Sequence, residues 1–553
     1  MSSRTAVALL IATVLALLAV HALTGKATEP FFNNDETRHV MTGVFFRDFL
    51  VDMPLKSPRD YIIRYYLQYP ALGFPLWPPL FHVTEGVLML GLGTSMAVAK
   101  GTILIHAALA CMFLFLLVRR THGPQVAVLA AALLGFAPLF FVLSRQVMLD
   151  VPTITWILGA TFFFVRFLDS KRTSDVLLAG LFSAFAALTR FNAIFLLPVF
   201  VVLGLQPGRR WVFRRADTYA AAALVFLLVT PFYALTASQI GWVYGKLAAA
   251  KGGASPLTLE SLWFYPSLIP RQIGWVLLVP CLVGLVRALS PSQRTRALPY
   301  LAITALTYLM LTPVGIRDSR YALSWIPAFA VFGAEGAHAL CERLRRPGLF
   351  PALGILLVAG TAAQSLAAPA PYVRGYEAAA RYVLTRTRTA WCCLFDGGLN
   401  GNFIYQVRRN DPDRRLWVLR GDKLLYSVLL NSEPGQPSIE KSDTEMLAAI
   451  FKYDPEFLVV ESPMTFGNIP AADRFRTLLD AHPERFKLEA TLPVDSNERG
   501  FKGVKLKLYR NIMRNPNPST ELEIEMLTLR RSIRTVAPRG GADSSGHPVP
   551  TRM

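Results

Sequence analysis

Two adjacent carboxylates near the N-terminus are the first residues whose types point to chemistry. Asp35 and Glu36 come directly after Asn33 and Asn34, and an aromatic, apolar stretch follows them as far as Leu50. An Asn followed by two acids is typical of a helix start, where the positive end of the helix dipole favours carboxylates. Two interpretations stay open: the acids only begin a helix, or one of them accepts a proton or a hydrogen bond in a reaction.

Arg190 is a lone basic residue between two apolar runs, 174–189 and 191–206. A cation inside a membrane is costly unless it is paired or reaches water, so this position is a candidate functional site. Extension of the long side chain to the membrane interface is the structural alternative.

The composition is that of a membrane protein with many spans. Of the 553 residues, 53% are hydrophobic and 17% are charged, and the mean hydropathy is +0.38. The net charge of +20 lies in short clusters between apolar runs, which is the pattern of cytoplasmic loops rather than of nucleic-acid binding. The five cysteines have neither metal-ligand spacing nor the pattern of a disulfide framework.

A membrane span needs about 20 mostly apolar residues. Twelve segments qualify: 5–24, 75–93, 96–118, 125–144, 147–168, 174–189, 191–206, 218–240, 263–288, 297–314, 321–340 and 348–366. With the N-terminus inside, placing every basic cluster in the cytoplasm requires that 75–93, which is rich in proline, does not cross completely. Eleven spans result. The alternative keeps 75–93 and joins 174–206 into one helix, but it puts Arg119 outside.

In the preferred topology, the polar residues that do not anchor loops converge on the outer face. The parts that lie there are the first loop (25–74), the 144–150 turn, Arg190, the 241–262 loop, the 315–320 loop and everything after 367. No internal repeat is visible, which disfavours a transporter built from inverted repeats.

The chain after residue 370 has the composition of a soluble domain. Apolar bursts alternate with helical patterns, which predicts a small α/β domain over 370–512 that follows a membrane domain over 1–369. The remaining residues, 513–553, are rich in Pro, Ser, Gly and Arg, and we expect them to be disordered apart from a short helix near Leu522–Arg531.

The order of several short motifs resembles the GT-C membrane glycosyltransferases, the superfamily of protein O-mannosyltransferases and the lipid A aminoarabinose transferase. The resemblance extends over residues 5–370 and rests on the following segments in family order: Asp35-Glu36-Thr37-Arg38, Pro78-Pro79-Leu80, Gly93-Thr94-Ser95 through Lys100, Ser144-Arg145 with Leu149-Asp150-Val151-Pro152, Ala187-Leu188-Thr189-Arg190, and Arg320-Tyr321-Ala322-Leu323 with Pro327.

This resemblance implies a polyprenyl-phosphate sugar as donor, a phosphate leaving group that needs positive charge, and a carboxylate for the acceptor hydroxyl. Asp35 matches the family's catalytic base, and Glu36 is the alternative if the register differs by one. Asp150 matches the second acidic position, where it would orient Arg145 or the acceptor, or cap a helix. The donor phosphate would be held by Lys100, Arg145, Arg190, Arg320 and Tyr321.

One departure from the family pattern narrows the choice of substrates. The aminoarabinose transferase has a Lys-Pro in the segment that here reads Leu76-Trp77-Pro78-Pro79, so the resemblance favours a sugar transferase of the broader group. His82 would replace part of the role of that lysine; the alternative is a structural role, which is more common for a histidine on a helix face.

We therefore expect a polytopic α-helical membrane protein of about 11–13 spans, with an α/β domain outside the cytoplasmic membrane. It would transfer a sugar with inversion to an unidentified lipid, glycan or protein acceptor, without a cofactor, although a divalent metal stays possible. The rival interpretations are a transporter or lipid-carrier flippase and a membrane scaffold without catalytic activity.

Overall fold

The computed structural model describes residues 2–24, 31–74, 76–240, 258–315, 317–388, 391–427, 439–465, 469–526 and 531–537. Parts of the predicted first loop, of the 241–262 loop and of the tail beyond residue 537 lie outside these described residues.

The helices are, in chain order, α1 (Ser3–Leu23), α2 (Asn34–Asp52), α3 (Pro58–Gln68), α4 (Leu80–Leu92), α5 (Met96–Thr121), α6 (Pro124–Phe136), α7 (Pro138–Leu143), α8 (Asp150–Ser170), α9 (Thr173–Ala187), α10 (Leu196–Gly204), α11 (Ala216–Ile240), α12 (Leu259–Ile273), α13 (Leu278–Leu289), α14 (Arg294–Leu311), α15 (Ile326–Arg343), α16 (Phe350–Ala367), α17 (Tyr376–Arg386), α18 (Asn400–Asn410), α19 (Gly421–Leu424), α20 (Asp443–Tyr453) and α21 (Pro470–Ala481).

The strands are β1 (Val373–Arg374), β2 (Cys392–Asp396), β3 (Trp417–Arg420), β4 (Tyr426–Ser427), β5 (Ile439–Glu440), β6 (Phe457–Ser462), β7 (Phe486–Pro493), β8 (Asp495–Ser496), β9 (Lys505–Asn511), β10 (Glu521–Met526) and β11 (Arg531–Val536).

Each of the twelve predicted apolar segments contains helix. In the described part of the chain, five helices (α1, α5, α8, α11 and α16) are long and apolar enough to cross a membrane. Only 17% of the apolar window of α11 and 22% of that of α1 are buried within the protein, so their side chains suit a hydrocarbon environment. The prediction of a polytopic helical membrane protein is confirmed.

Other predicted spans are shorter or broken. The 75–93 segment contains the 13-residue helix α4, and the 125–144 segment is divided where Pro138 begins α7. The 263–288 segment bends by 102° between α12 and the helix that follows. Gly274 lies at this bend with a φ of 92°, a value that L side chains rarely adopt.

The chain divides into two compact units. The membrane unit comprises residues 1–28, 74–81 and 97–370, and the sheet unit comprises residues 29–73, 82–96 and 371–553. This division differs from the predicted boundary at residue 370, because the first loop groups with the C-terminal segment.

Small residues allow close helix packing in the membrane unit. A Cβ atom on Gly284 of α13 would lie 1.8 Å from the carbonyl oxygen of Phe332, and one on Gly336 of α15 would lie 1.8 Å from that of Pro280. The two helices therefore approach each other at glycines on both sides, the packing that is common between helices in lipid.

The sheet unit is built on a five-stranded sheet with the order β3-β2-β6-β9-β7. The neighbours β3, β2 and β6 are parallel, whereas β9 is antiparallel to both β6 and β7. All five residues of β2 are buried, as expected of a central strand covered on both faces. The predicted alternation of strands and helices over 370–512 is present.

The expectations for the tail are wrong over residues 521–526 and 531–536, where β10 and β11 pair as antiparallel strands. Leu522 and Ile524 alternate with glutamates and point into the hydrophobic core of the sheet unit, where they are 0% and 3% exposed. This two-residue alternation stabilises a strand rather than the predicted helix or a disordered chain.

Candidate active site

Asp35 lies in the first turn of α2, in the sheet unit. Asn33 is the N-cap residue, and its side-chain oxygen accepts a hydrogen bond from the Glu36 backbone nitrogen at 3.0 Å. The predicted helix start is therefore confirmed. The Glu36 carboxylate is 1% exposed and accepts the backbone N–H of Phe32 at 2.9 Å, whereas Asp35 is half-buried. The Glu36 carboxylate thus stabilises the backbone just before the helix, which makes Asp35 the better candidate base.

The first turn of α2 forms hydrogen bonds with the loop between β2 and α18 and with the first turn of α18. The Asn34 side chain accepts the Gly401 backbone N–H at 2.9 Å and donates to the Gly398 carbonyl oxygen. The Asn402 side chain donates to the Phe31 carbonyl oxygen at 2.9 Å. A Cβ on Gly401 would lie 2.0 Å from the Thr37 hydroxyl, so this contact requires glycine. The α/β fold thereby fixes where the Asp35 backbone lies.

The glycines of this loop do not form a nucleotide site. The backbone nitrogens of Gly398 and Leu399 donate to the Glu461 carboxylate, at 2.8 and 3.1 Å. Thr465 donates its hydroxyl to the same carboxylate at 2.7 Å. Backbone nitrogens that would otherwise suit a phosphate therefore bind a carboxylate of the chain itself, and the Gly397–Gly401 segment is a strand-to-helix turn.

The other end of α2 is held by buried charge. Arg408 of α18 donates to both oxygens of Asp48, at 2.7 to 3.0 Å, and the two side chains are 5% and 0% exposed. The Tyr65 hydroxyl donates to Asp48 at 2.7 Å. Burial opposes the charge on Arg408, but Tyr65 and Asp48 outweigh it and raise its pKa.

Three cations lie together at the carboxyl end of β3. Arg420 forms an ion pair with Asp422 and donates to the Pro70 carbonyl oxygen at 2.8 Å. Burial and the neighbouring Arg420 lower the pKa of Arg38, and the same two causes lower that of Lys423. No local sequence pattern marks Arg420 or Lys423 as special, because charged residues near loops look alike until the sheet order is known.

The other predicted residues lie in the membrane unit, and Asp150 and Arg190 form an ion pair there. Asp150 is the first residue of α8, and Arg190 follows the end of α9. Their side chains are 3% and 19% exposed. The lone Arg190 of the sequence is therefore paired with a buried carboxylate.

Tyr321 joins two guanidinium groups. The Arg190 guanidinium lies over its ring, 5.0 Å from the centroid, and that of Arg320 lies at 5.6 Å. Arg320 also pairs with Asp318 at 3.0 Å. The structure thus brings together Asp150, Arg190, Arg320 and Tyr321 from three separated segments, an arrangement that can bind an anion through two planar cations.

Arg145 and Lys100 are also buried in the membrane unit, at 4% and 5% exposure. The Arg145 guanidinium lies 3.8 Å from the Phe141 ring centroid and donates to the Thr24 hydroxyl at 3.4 Å. The structure gives Asp150 an ion pair with Arg190, and an orienting role of Asp150 toward Arg145 stays a prediction. The role of Lys100 stays a prediction.

Among the described residues, no group of three or more His, Cys, Asp or Glu side chains is arranged to hold a metal ion.

Residues 78–234 match the model of the dolichyl-phosphate-mannose-protein mannosyltransferase family. The match contains Lys100, Arg145, Asp150 and Arg190, which are four of the predicted site residues. A search of curated protein sequences finds no match.

Solved structures share the fold. ArnT from Cupriavidus metallidurans, bound to undecaprenyl phosphate, is similar with a TM-score of 0.61 and 12% identity, over 93% of this chain and 100% of that one. The chain has the GT-C fold. This GT-C chain also resembles the archaeal oligosaccharyltransferase AglB from Archaeoglobus fulgidus, with a TM-score of 0.55 and 13% identity over 82% of this chain and 69% of that one.

A third similar structure is the arabinofuranosyltransferase AftD from Mycobacteria, with a TM-score of 0.51 and 12% identity. The similarity covers 95% of the GT-C chain and 41% of AftD. The resemblance to GT-C glycosyltransferases that the sequence motifs indicated is confirmed.

Proposed function

We propose that the protein is an integral membrane glycosyltransferase that takes one sugar from a polyprenyl-phosphate donor. The observation that carries this proposal is the cluster of Asp150, Arg190, Arg320 and Tyr321. An ion pair and a second arginine inside an apolar unit are costly to maintain, and they suit a negatively charged substrate. The ArnT and AglB structures contain undecaprenyl phosphate and dolichol-phosphate, which are ligands of this class.

In the proposed reaction, Arg190 and Arg320 bind the donor phosphate and stabilise the charge that develops as it leaves. The ion pair with Asp150 orients the Arg190 guanidinium, and the Tyr321 ring makes cation–π contacts with the guanidinium groups of Arg190 and Arg320. Lys100 and Arg145 add positive charge for the same phosphate.

Asp35 accepts the proton of the acceptor hydroxyl, or aligns that hydroxyl for attack on the anomeric carbon. The bond from the sugar to the acceptor oxygen forms as the bond to the phosphate oxygen breaks, so a single displacement inverts the anomeric configuration. Glu36 is the weaker candidate because its carboxylate accepts the Phe32 N–H.

We place the enzyme in the cytoplasmic membrane with the sheet unit on the outer face. The basic clusters between the apolar runs support this orientation, since arginine and lysine accumulate in cytoplasmic loops. The acceptor is a lipid, glycan or protein that reaches this face, and the proposed steps use no cofactor.

The test is sugar release from a panel of labelled polyprenyl-phosphate sugars by membranes that contain the wild type, Arg190→Gln or Arg172→Gln at equal expression. Arg172 is exposed and serves as the matched control. We expect one donor to be consumed by the wild type and by Arg172→Gln, with a loss of about 100-fold in Arg190→Gln, the scale of removing one preorganised electrostatic contact. Equal turnover by all three proteins would contradict the role of Arg190, and no turnover of any donor would favour transport.

A further inference from the structure

The carboxyl ends of the three parallel strands differ in how their charges are satisfied. At the end of β2, Asp396 accepts hydrogen bonds from Tyr426 at 2.6 Å and from Arg476 at 2.8 Å. At the end of β6, Glu461 accepts the hydrogen bonds of the β2–α18 loop. Two of the three strand ends therefore carry a carboxylate whose hydrogen-bond donors all come from the chain itself.

The end of β3 has the opposite arrangement, with more cations than anions. Arg420 is 6% exposed, and its guanidinium is fully used by Asp422 and by the Pro70 carbonyl oxygen. Lys423 follows one turn later in α19, and Arg38 of α2 is close enough to interact electrostatically with both.

Arg38 and Lys423 are half-buried, and within the described residues neither side chain makes a hydrogen bond or an ion pair. Burial and the neighbouring Arg420 lower the pKa of both side chains, and the nearby Asp422 offsets this only in part, so a bound anion would remove an electrostatic cost. Ligands of sheets with parallel strands commonly bind at the carboxyl ends of the strands, which is where these two cations lie.

The position of Arg38 links this charge to the proposed chemistry. Arg38 lies three residues after Asp35, so both are on the same face of α2, and the two side chains interact electrostatically. An anion held here would bring the molecule that carries it next to the candidate base.

We propose that Arg38 and Lys423 bind an anionic group, a phosphate or a carboxylate, of the acceptor. This inference rests on the proposed function, because it assigns the second substrate of the same reaction. The donor phosphate is already assigned to Arg190 and Arg320, so the anion at β3 belongs to the other substrate. Its binding restricts the acceptor's motion and presents a hydroxyl to Asp35.

The first test measures binding without transfer. The full-length protein in detergent is treated with acetic anhydride, and acetylation of Lys423 is compared with that of the exposed Lys487 by peptide mass spectrometry, with and without inorganic phosphate or malonate. We expect one of these anions at millimolar concentration to slow acetylation of Lys423 by about ten-fold and to leave Lys487 unchanged, and Arg38→Gln to abolish this protection. The better protecting anion identifies the acceptor group as phosphate or carboxylate.

No protection by either anion, or equal protection in Arg38→Gln, would overturn the proposal. Labelling of the buried Cys392 is the folding control, since a variant that opened the sheet unit would expose it.

The second test uses transfer kinetics once a donor and an acceptor are known. Lys423→Gln should raise the KM for the acceptor about ten-fold, with kcat within two-fold of wild type, and Lys487→Gln should change neither. Protection of Lys423 in a protein that transfers no sugar would retain the anion site and refute the proposed function. Transfer with an unchanged acceptor KM in Lys423→Gln would refute the anion site alone.

Discussion

The buried ion pair between Asp48 and Arg408 is a contact whose loss should strongly destabilise the sheet unit. Asp48→Ala leaves the Arg408 guanidinium buried without its partner and removes the acceptor of the Tyr65 hydroxyl. Breaking a buried pair by removing one side costs about 3–5 kcal/mol. The exposed pair of Arg381 and Glu377 is the matched control, and Arg381→Gln should cost only about 0.3–0.5 kcal/mol.

The cysteines of β2 provide the assay. Cys392 and Cys393 are fully buried in the sheet, so a thiol reagent reaches them only when the sheet unit opens. A change of about 1.36 kcal/mol corresponds to ten-fold, so Asp48→Ala should accelerate their labelling between about 100-fold and a few thousand-fold. Cys111, which is buried in α5, is the internal reference and should keep its rate.

A second variant distinguishes lost charge pairing from a general packing defect. Asp48→Leu combined with Arg408→Met removes both charges and should restore most of the free energy of unfolding. Labelling of Cys392 in Asp48→Ala within about three-fold of the Arg381→Gln rate would refute the argument, because the pair would then contribute no more than an exposed one.

Arg190→Lys should recover only part of the donor turnover lost in Arg190→Gln, because an ammonium cannot present a planar fork to phosphate oxygens; full recovery in the donor assay would contradict this. Gly401→Ala should displace the first turn of α2 and lower the rate of sugar transfer about ten-fold or more. Labelling of the β2 cysteines should report a loss in the free energy of unfolding of no more than roughly 1–3 kcal/mol, the cost of an overpacked contact. An unchanged transfer rate would show that the contact is not needed. Burial opposes ionisation of Asp52, but the hydrogen bonds from Arg414 and Tyr61 and the charge of Arg414 together outweigh it and lower the pKa of Asp52. The ionised Asp52 therefore stabilises the fold above about pH 4, and this stability is lost as the pH falls through the folded-state pKa. Wild type should therefore gain pepsin sensitivity more steeply than Asp52→Asn as the pH is lowered, and parallel profiles would refute this assignment.

The sequence predicts the helices and strands well because their signals are local. Long apolar runs mark the membrane helices, short apolar bursts mark β2, β3 and β6, and Asn33 with two acids marks the start of α2. The breaks at Pro138 and Gly274 were missed, since a continuous apolar run does not show where it bends.

The tertiary pairing of charged residues could not be predicted. Asp48 and Arg408 are 360 positions apart, and neither differs in its local sequence from an exposed charge. The types of the membrane-unit residues were recognised from the motifs, but the pairing of Asp150 with Arg190 required the structure. The strands of the tail were missed because its overall content of Pro, Ser and Arg indicates disorder, whereas the alternation of Leu522 and Ile524 with glutamates extends over only a few residues.

The most direct test of the proposed enzyme is the rate of sugar transfer by Asp35→Asn, compared with wild type and with Asp60→Asn at equal expression. Asp60 is an exposed carboxylate in the first turn of α3, so its amide variant controls for the loss of one negative charge. We expect Asp35→Asn to lose about 100-fold or more of the transfer rate with unchanged Cys392 labelling, and Asp60→Asn to retain the wild-type rate. Sugar transfer by Asp35→Asn at the wild-type rate would show that Asp35 is not the carboxylate that acts on the acceptor hydroxyl.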